Sequence, residues 1–212
     1  MVIRNEVKQI VVGFSNKDEE KGYTACGSVT FVSSSSGRKI LVDCGSPWHG
    51  SKIIAGLNDE GVSCSDITDV VITHGHSDHC GCLSLFESAR FFMDQDCAEN
   101  FCCYSTLQVR LFQFRQTTGS TVLAPGVEII RTPGHTDHDL SVIVRETSIG
   151  TVCCTSVAFS GDIFEDERDD SWLVNSRYPD LQKSSRSSIL AVADWIIPGH
   201  GKLFKSCRDV GH

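Results

Sequence analysis

The sequence predicts a single domain of the α/β (α+β) class over residues 1–212, on three observations. Apolar, strand-like runs dominate both halves of the chain, and each half closes on a helical stretch. No Pro-, Gly- or Ser-rich linker divides them. A length of 212 residues with 40% hydrophobic content is enough to bury one sizeable core.

Val7 to Phe14 and Tyr23 to Val32 read as strands, the second with Gly27 as a bulge or a close backbone approach. Ser33 to Ser36 ends in Gly37 and reads as a hairpin loop. Lys39 to Asp43 is a short buried strand, and Lys52 to Asn58 is a helix closed by Gly61. Asp69 to Ile72 is the next strand, and Leu83 to Phe86 begins a helix packed on the sheet. Phe91 to Gln116 has no clean period and receives no element. Thr121 to Leu123 and Val127 to Arg131 are strands. Leu140 to Glu146 and Thr151 to Phe159 form a hairpin around Ser148-Ile149-Gly150. Glu165 to Asp170 is an acidic loop, Ser184 to Ala193 an amphipathic helix and Asp194 to Ile197 a last strand before the turn Pro198-Gly199-His200-Gly201.

The formal net charge of −8 disfavours nonspecific nucleic-acid binding. It does not exclude a nucleic-acid substrate, because bound divalent cations would attract anions locally. No apolar run approaches the roughly 20 residues that span a bilayer, and the N-terminus lacks the layout of a signal peptide, so no membrane partner is expected. With no secretion signal, the 11 cysteines are expected to be reduced and mostly small buried hydrophobes. Cys80-Gly81-Cys82 directly follows His79; both thiols either pack inside or lie near a metal.

Thr73-His74-Gly75-His76-Ser77-Asp78-His79 is the chemical centre of the sequence. Imidazole and carboxylate are good ligands for Zn²⁺ and related ions. His74 and His76 can point one way off an extended segment while Asp78 and His79 turn to a second position, which suggests two metal sites. Four more apolar strands end in glycine-containing turns that each carry one chemical residue: Asp43, His135, Asp162 and His200. A lone Pro-Gly-His or Gly-Asp is ordinarily a turn or a cap. The set of five, in this order, is not.

These five segments resemble the motifs of the metallo-β-lactamase superfamily over about Val7 to Phe204. The resemblance implies a four-layer αβ/βα sandwich, two mixed sheets flanked by helices, with metals at one edge. It implies His74, His76 and His135 on a first metal, Asp78, His79 and His200 on a second, and Asp162 bridging them. Asp43 would orient a ligand or turn by hydrogen bonds. The implied cofactors are two Zn²⁺, with iron as the alternative. Gly45 to Trp48, Gly161 to Glu165, Asp170-Ser171-Trp172 and Ala193 to Gly201 further resemble one branch of that superfamily. Its members are assigned as endoribonucleases acting on histone pre-mRNA 3′ ends, in cytosol and nucleus.

The implied reaction is hydrolysis by a hydroxide bridging the two metals, with Asp78 as the catalytic residue that steers the water or accepts its proton. RNA is the first substrate class and a glyoxalase II-like thioester or ester the alternative. The C-terminal helices that help the glyoxalase branch bind glutathione are not expected here, because the chain ends soon after His200. A mononuclear iron sulfur dioxygenase is a further alternative, held by His74, His76 and His135 or Asp162. Specificity is expected in the loops Ser46 to Gly50, Phe91 to Gln116 and Glu165 to Asp180. Trp48 and His49 either line the cleft, or Trp48 is buried and anchors its loop. Trp172 either lines the cleft or packs, with packing favoured. His138 reads as a solvent-facing or hydrogen-bonded residue, and His212 as a terminal one. Oligomeric state is open, a homodimer included.

Overall fold

The computed structural model describes residues 4–18, 20, 22–100, 103–107, 121–149, 152–169 and 172–206. The first half runs β1 (Asn5–Val11), β2 (Phe14–Asp18), β3 (Gly22–Cys26), β4 (Val29–Ser33), β5 (Lys39–Val42), α1 (Gly50–Asp59), β6 (Asp69–Ile72), α2 (Ser77–Cys80), β7 (Arg90–Met93), β8 (Asp96–Glu99) and β9 (Cys103–Thr106). The second half runs β10 (Thr121–Ala124), β11 (Val127–Arg131), β12 (Leu140–Ile149), β13 (Val152–Phe159), α3 (Trp172–Asn175), α4 (Pro179–Val192), β14 (Trp195–Ile197) and β15 (Phe204–Lys205).

Strand periodicity builds the layers. In β5, Ile40 and Val42 face one core and Leu41 the other; in β6, Val71 faces the first and Val70 and Ile72 the second. The second half alternates likewise: Val142 and Val144 of β12 and Val157 and Phe159 of β13 join Ile40, Val42 and Val71, while Ile143 and Ala158 face away. Side chains two apart lie on one face, so each strand supplies two cores. The shared core lies between the halves. Outside it, Ile53 and Leu57 of α1 cover the first half, and Ile189 of α4 covers the second. The layer order is α, β, β, α, as expected.

The two halves form one hydrogen-bonded ladder, β15-β14-β13-β12-β1-β4-β5-β6-β7-β8-β9, with β11 and then β10 beside β12. They join where β1 meets β12 in parallel over two residue pairs, Asn5 with Thr147 and Glu6 with Ser148. β2 and β3 make a separate two-stranded hairpin. At the start of β6, fully buried Asp69 accepts hydrogen bonds from Arg38, Arg90 and Thr68 at 2.5–2.9 Å, fixing one end of the strand whose other end carries the histidines.

Several expected elements are corrected. The strand Val7 to Phe14 stops at Val11, and Phe14 opens β2. Tyr23 to Val32 is two strands in two sheets. The chain leaves one for the other at Gly27-Ser28, where Gly27 N–H donates to Asp78 O (3.2 Å) and Ser28 N–H to Gly199 O (2.7 Å). The close approach expected at Gly27 is present, since a Cβ there would sit 2.6 Å from Asp78 O. Leu83 to Phe86 is a single 3₁₀ turn over Leu83–Leu85, because the chain must reach β7 by Arg90. The last helix starts at Pro179, five residues early, with Pro in its first turn and Asp180 beside its N-terminal dipole. Phe91 to Gln116 holds most of β7 and all of β8 and β9; its residues 101–102 and 108–116 lie outside the described residues. So do Asp170, Ser171 and His212.

Candidate metal centre

Five turns leave the C-terminal ends of β5, β6, β11, β13 and β14 and converge on one edge. Thr73 to His76 follows β6, and α2 presents Asp78 and His79. Asp43, directly after β5, is buried and adopts φ of 59°. Its carboxylate accepts from Thr73 N (2.7 Å), Thr73 Oγ1 (2.8 Å) and His79 Nδ1 (2.8 Å). Because Thr73 Oγ1–H donates to Asp43, its oxygen accepts from His74 Nδ1 at 3.2 Å. Asp43 therefore sets the tautomers of both His79 and His74, leaving each Nε2 free. His200 is set the same way: Nδ1 donates to Cys26 O at 3.1 Å.

The free nitrogens meet. His76 Nδ1 lies 2.9 Å from His74 Nε2 and 3.1 Å from His135 Nε2. Asp162 Oδ2 is 3.6 Å from His74 Nε2 and 3.4 Å from His135 Nε2. On the other side Asp162 Oδ1 is 3.2 Å from His79 Nε2, and Oδ2 is 3.2 Å from His200 Nε2. Asp78 Oδ2 stands 3.8 Å from His200 Nε2 and 3.9 Å from His79 Nε2. The ligand atoms of His74, His76, His135 and Asp162 lie within 4.8 Å of one another, as do those of Asp78, His79 and His200. All seven expected ligands are thus brought together, in the two expected groups, with Asp162 between.

The buried ligand groups shift one another's charges strongly. Burial alone would lift the Asp162 carboxyl, but His79 and His74 hold it well below the usual carboxylate range. Burial alone would lower His79, but Asp162 and Asp43 hold it well above the usual histidine range. Burial, reinforced by His79, keeps His74 well below its ordinary value, and burial lowers His135 to about 4. His79 Nε2 and Asp162 Oδ1 are buried 3.2 Å apart, with no well-aligned hydrogen bond to any described residue. Unsatisfied buried atoms cost about 1–3 kcal/mol each, which a shared divalent ion removes. Imidazole and carboxylate donors suit zinc and also iron. The residues fit a metal pair. Cys80 and Cys82 stand outside both groups: Cys82 Sγ bonds Ser46 O at 3.1 Å and Cys80 Sγ bonds His76 O at 3.3 Å.

Two cavities meet at His76. One of about 330 Å³ is lined by Tyr23, Ala25, Asp78, His135, Asp162, Glu165, Asn175 and His200 besides His76. The other, of about 280 Å³, includes Met93, Asp94, Thr136, Asp137, His138 and Arg177. Two of the expected specificity loops therefore contribute, and Ser46 to Gly50 does not line either cavity. Trp48 is 84% exposed, which corrects its reading as a buried anchor. His49 packs against Cys26 with Nδ1 2.9 Å from Sγ. Trp172 packs on the Arg186 guanidinium, 4.9 Å from its ring centre, as favoured. His138 is bonded to Gln95 at 3.1 Å.

Sequence reasoning missed four residues. Buried Asp139 accepts from Gly134 N (2.9 Å), Thr136 N (2.7 Å) and Thr136 Oγ1 (2.7 Å), shaping the His135 turn. The Thr136-x-x-Asp139 spacing, an aspartate closing a turn on nearby backbone, was a usable signal. Gln182 donates from α4 to Asp162 O at 2.9 Å. Glu165, lifted above the usual carboxylate range by burial, and its partner Asn175 line the larger cavity. Glu165 and Asn175 fall within the loop Glu165 to Asp180 expected to set specificity, where nothing local singled them out, and nothing local marked Gln182.

A family model described as Metallo-beta-lactamase superfamily matches residues 24–93. Over 205 residues the chain is 38% identical to metallo-beta-lactamase domain-containing protein 1 of Xenopus laevis, covering 95% of this chain and 82% of that protein. The chain belongs to the metallo-beta-lactamase superfamily. It is 40% identical over 173 residues to the Homo sapiens protein of the same name, covering 80% of this chain and 60% of that one. A solved putative metallo-beta-lactamase from Thermotoga maritima superposes with a TM-score of 0.66 at 19% identity, covering 95% of this chain and 99% of that one, a likeness of fold. As a superfamily member with a histidine–aspartate site, the chain is a metal-dependent hydrolase. No helix among its described residues is long and apolar enough to cross a membrane.

Proposed function

We propose that the chain is a two-metal phosphodiesterase that cleaves RNA, an endoribonuclease of the histone pre-mRNA 3′-end type. One observation carries the chemistry: two complete ligand groups flank one carboxylate, Asp162, whose oxygens lie 3.2–3.6 Å from histidines of both groups. His74, His76 and His135 would hold one zinc ion and Asp78, His79 and His200 a second, with Asp162 between them, and the pair would supply Lewis acidity for hydrolysis at neutral pH. Asp78, partly exposed where the other second-group ligands are buried, faces the larger cavity and accepts the proton of the attacking water at a carboxylate oxygen. His76, shared by both cavities, marks the reacting position. A chain substrate then extends from it in two directions, one cavity for each side of the scissile bond. Support for RNA over other esters comes from the branch resemblance of the segments around Asp43, Asp162 and His200. On this reading the protein works in the cytosol and nucleus.

The lining favours one second reading. Glu165, outside both ligand groups, adds a carboxylate to the larger cavity, which disfavours a phosphate there and suits an uncharged thioester or ester bond. The deciding experiment runs metal-analysed protein in parallel on a structured pre-mRNA 3′ end, S-lactoylglutathione and bis(p-nitrophenyl) phosphate. The expected result is zinc-dependent cleavage of the RNA and the diester. Turnover of the thioester alone reverses the order, and one iron with oxygen consumption removes both readings.

A further inference from the structure

We infer that Glu165 and Asn175 form a subsite for a substrate hydroxyl beside the scissile bond, the ribose 2′-hydroxyl; this rests on the RNA reading above. Glu165 is 6% exposed yet lines the larger cavity together with Asp78, Asp162 and His200. It is not in either ligand group. Two contacts fix it in place. Its backbone oxygen accepts from His200 N at 2.7 Å, and its Oε1 accepts from Asn175 Nδ2 at 2.5 Å.

A carboxylate offers about four acceptor positions, so the Asn175 bond leaves others for a ligand. Asn175 also keeps a second N–H and its carbonyl oxygen. The pair therefore matches a group that both donates and accepts. A phosphate is repelled by Glu165. An ammonium is repelled by cations bound between the histidines. A neutral hydroxyl meets neither penalty. On a nucleotide held at His76, the hydroxyl next to the reacting phosphate is the 2′-OH, the group by which proteins tell RNA from DNA.

The test uses the zinc-loaded full chain and two oligonucleotides of one sequence. One is all-ribo; the other carries a single 2′-deoxynucleotide at the cleaved position. Wild type should cut the all-ribo strand faster by about tenfold or more, since a site built for a hydroxyl rejects the analogue lacking it. In Glu165→Ala, and in Asn175→Ala on the exposed short helix, that ratio should collapse toward one while the rate on the deoxy strand changes little. Equal wild-type rates on the two strands, or a ratio that survives both substitutions, overturn the hydroxyl subsite alone. An equal fall on both strands assigns Glu165 a structural role and also overturns it. No cleavage of either strand by wild type overturns the RNA reading and this inference together.

Discussion

The two halves of the metal centre are built by different means. The first half draws His74, His76, Asp78 and His79 from one turn and holds them with a single carboxylate, Asp43, through Thr73 and His79. The second half draws His135, Asp162 and His200 from three separate turns. Two of these are braced from the α3–α4 segment: Tyr178 N bonds Gly134 O at 2.9 Å, Ser185 Oγ bonds Pro133 O at 2.8 Å and Gln182 Nε2 bonds Asp162 O at 2.9 Å. One half concentrates its support in one carboxylate that touches two ligand-bearing residues, and the other spreads it over Asp139 at the His135 turn and neutral hydrogen bonds from the α3–α4 segment. Losing a support should therefore cost far more in the first half.

The largest effect is expected where the halves meet. His76→Ala removes the nitrogen lying between His74 and His135. His76 is exposed, so the fold should survive. Turnover should fall by at least about a thousandfold, with reduced metal content by elemental analysis and an unchanged circular dichroism spectrum. Full turnover with full metal content would refute the assignment.

Asp43→Ala tests the concentrated support. It strands His79 and the Thr73 N–H in a buried site, and chemical denaturation should show a loss of about 3–5 kcal/mol. Zinc affinity should drop about 10–100-fold by calorimetric titration, because a partner orienting two ligands is gone.

Acidification separates His135 from His79 by sign. His135 is lowered in the folded chain to about 4, so its contribution is present above the unfolded value near 6.5 and is lost as pH falls through about 4. In chelator-treated protein this amounts to at most about 3 kcal/mol. His79 is raised, so its contribution is present at low pH and is lost as pH rises through its folded value. Melting scans against pH should show the acid loss shrink in His135→Ala, the remainder coming from His74 and Asp162, and persist in His79→Ala.

The smallest effect belongs to the distributed support. Gln182→Ala removes the bond to Asp162 O but also removes a buried amide oxygen that has no partner. The net cost should be about 1 kcal/mol, with zinc affinity within tenfold of wild type. A loss as large as that of Asp43→Ala would erase the contrast.

The same contrast decides what was legible in the sequence. Asp69 to His79 is contiguous, so its strand, turn and ligand spacing could be read together. The other ligands were found because each ends an apolar run with a glycine nearby. Their supports were not, because Gln182 and Asn175 reach the site only through the packing of α3 and α4 against the turns. The break at Gly27-Ser28 was hidden for the same reason. Tyr23 to Val32 carries no charge and no proline, and only the partners at Asp78 and Gly199, far along the chain, show why it must split. Trp48 misled in the opposite direction, since a large aromatic beside a core strand ordinarily packs, and here it faces solvent.

The joining of the halves through two residue pairs of β1 and β12 has a consequence for how the protein matures. The metal groups close only when turns spanning residues 74–162 and 78–200 have docked, and contacts of such sequence separation slow folding. Metal capture would then act as a checkpoint on biogenesis: a chain holding both ions would have docked turns as far apart as His74 and His200, and bound ions would bias the equilibrium against reopening.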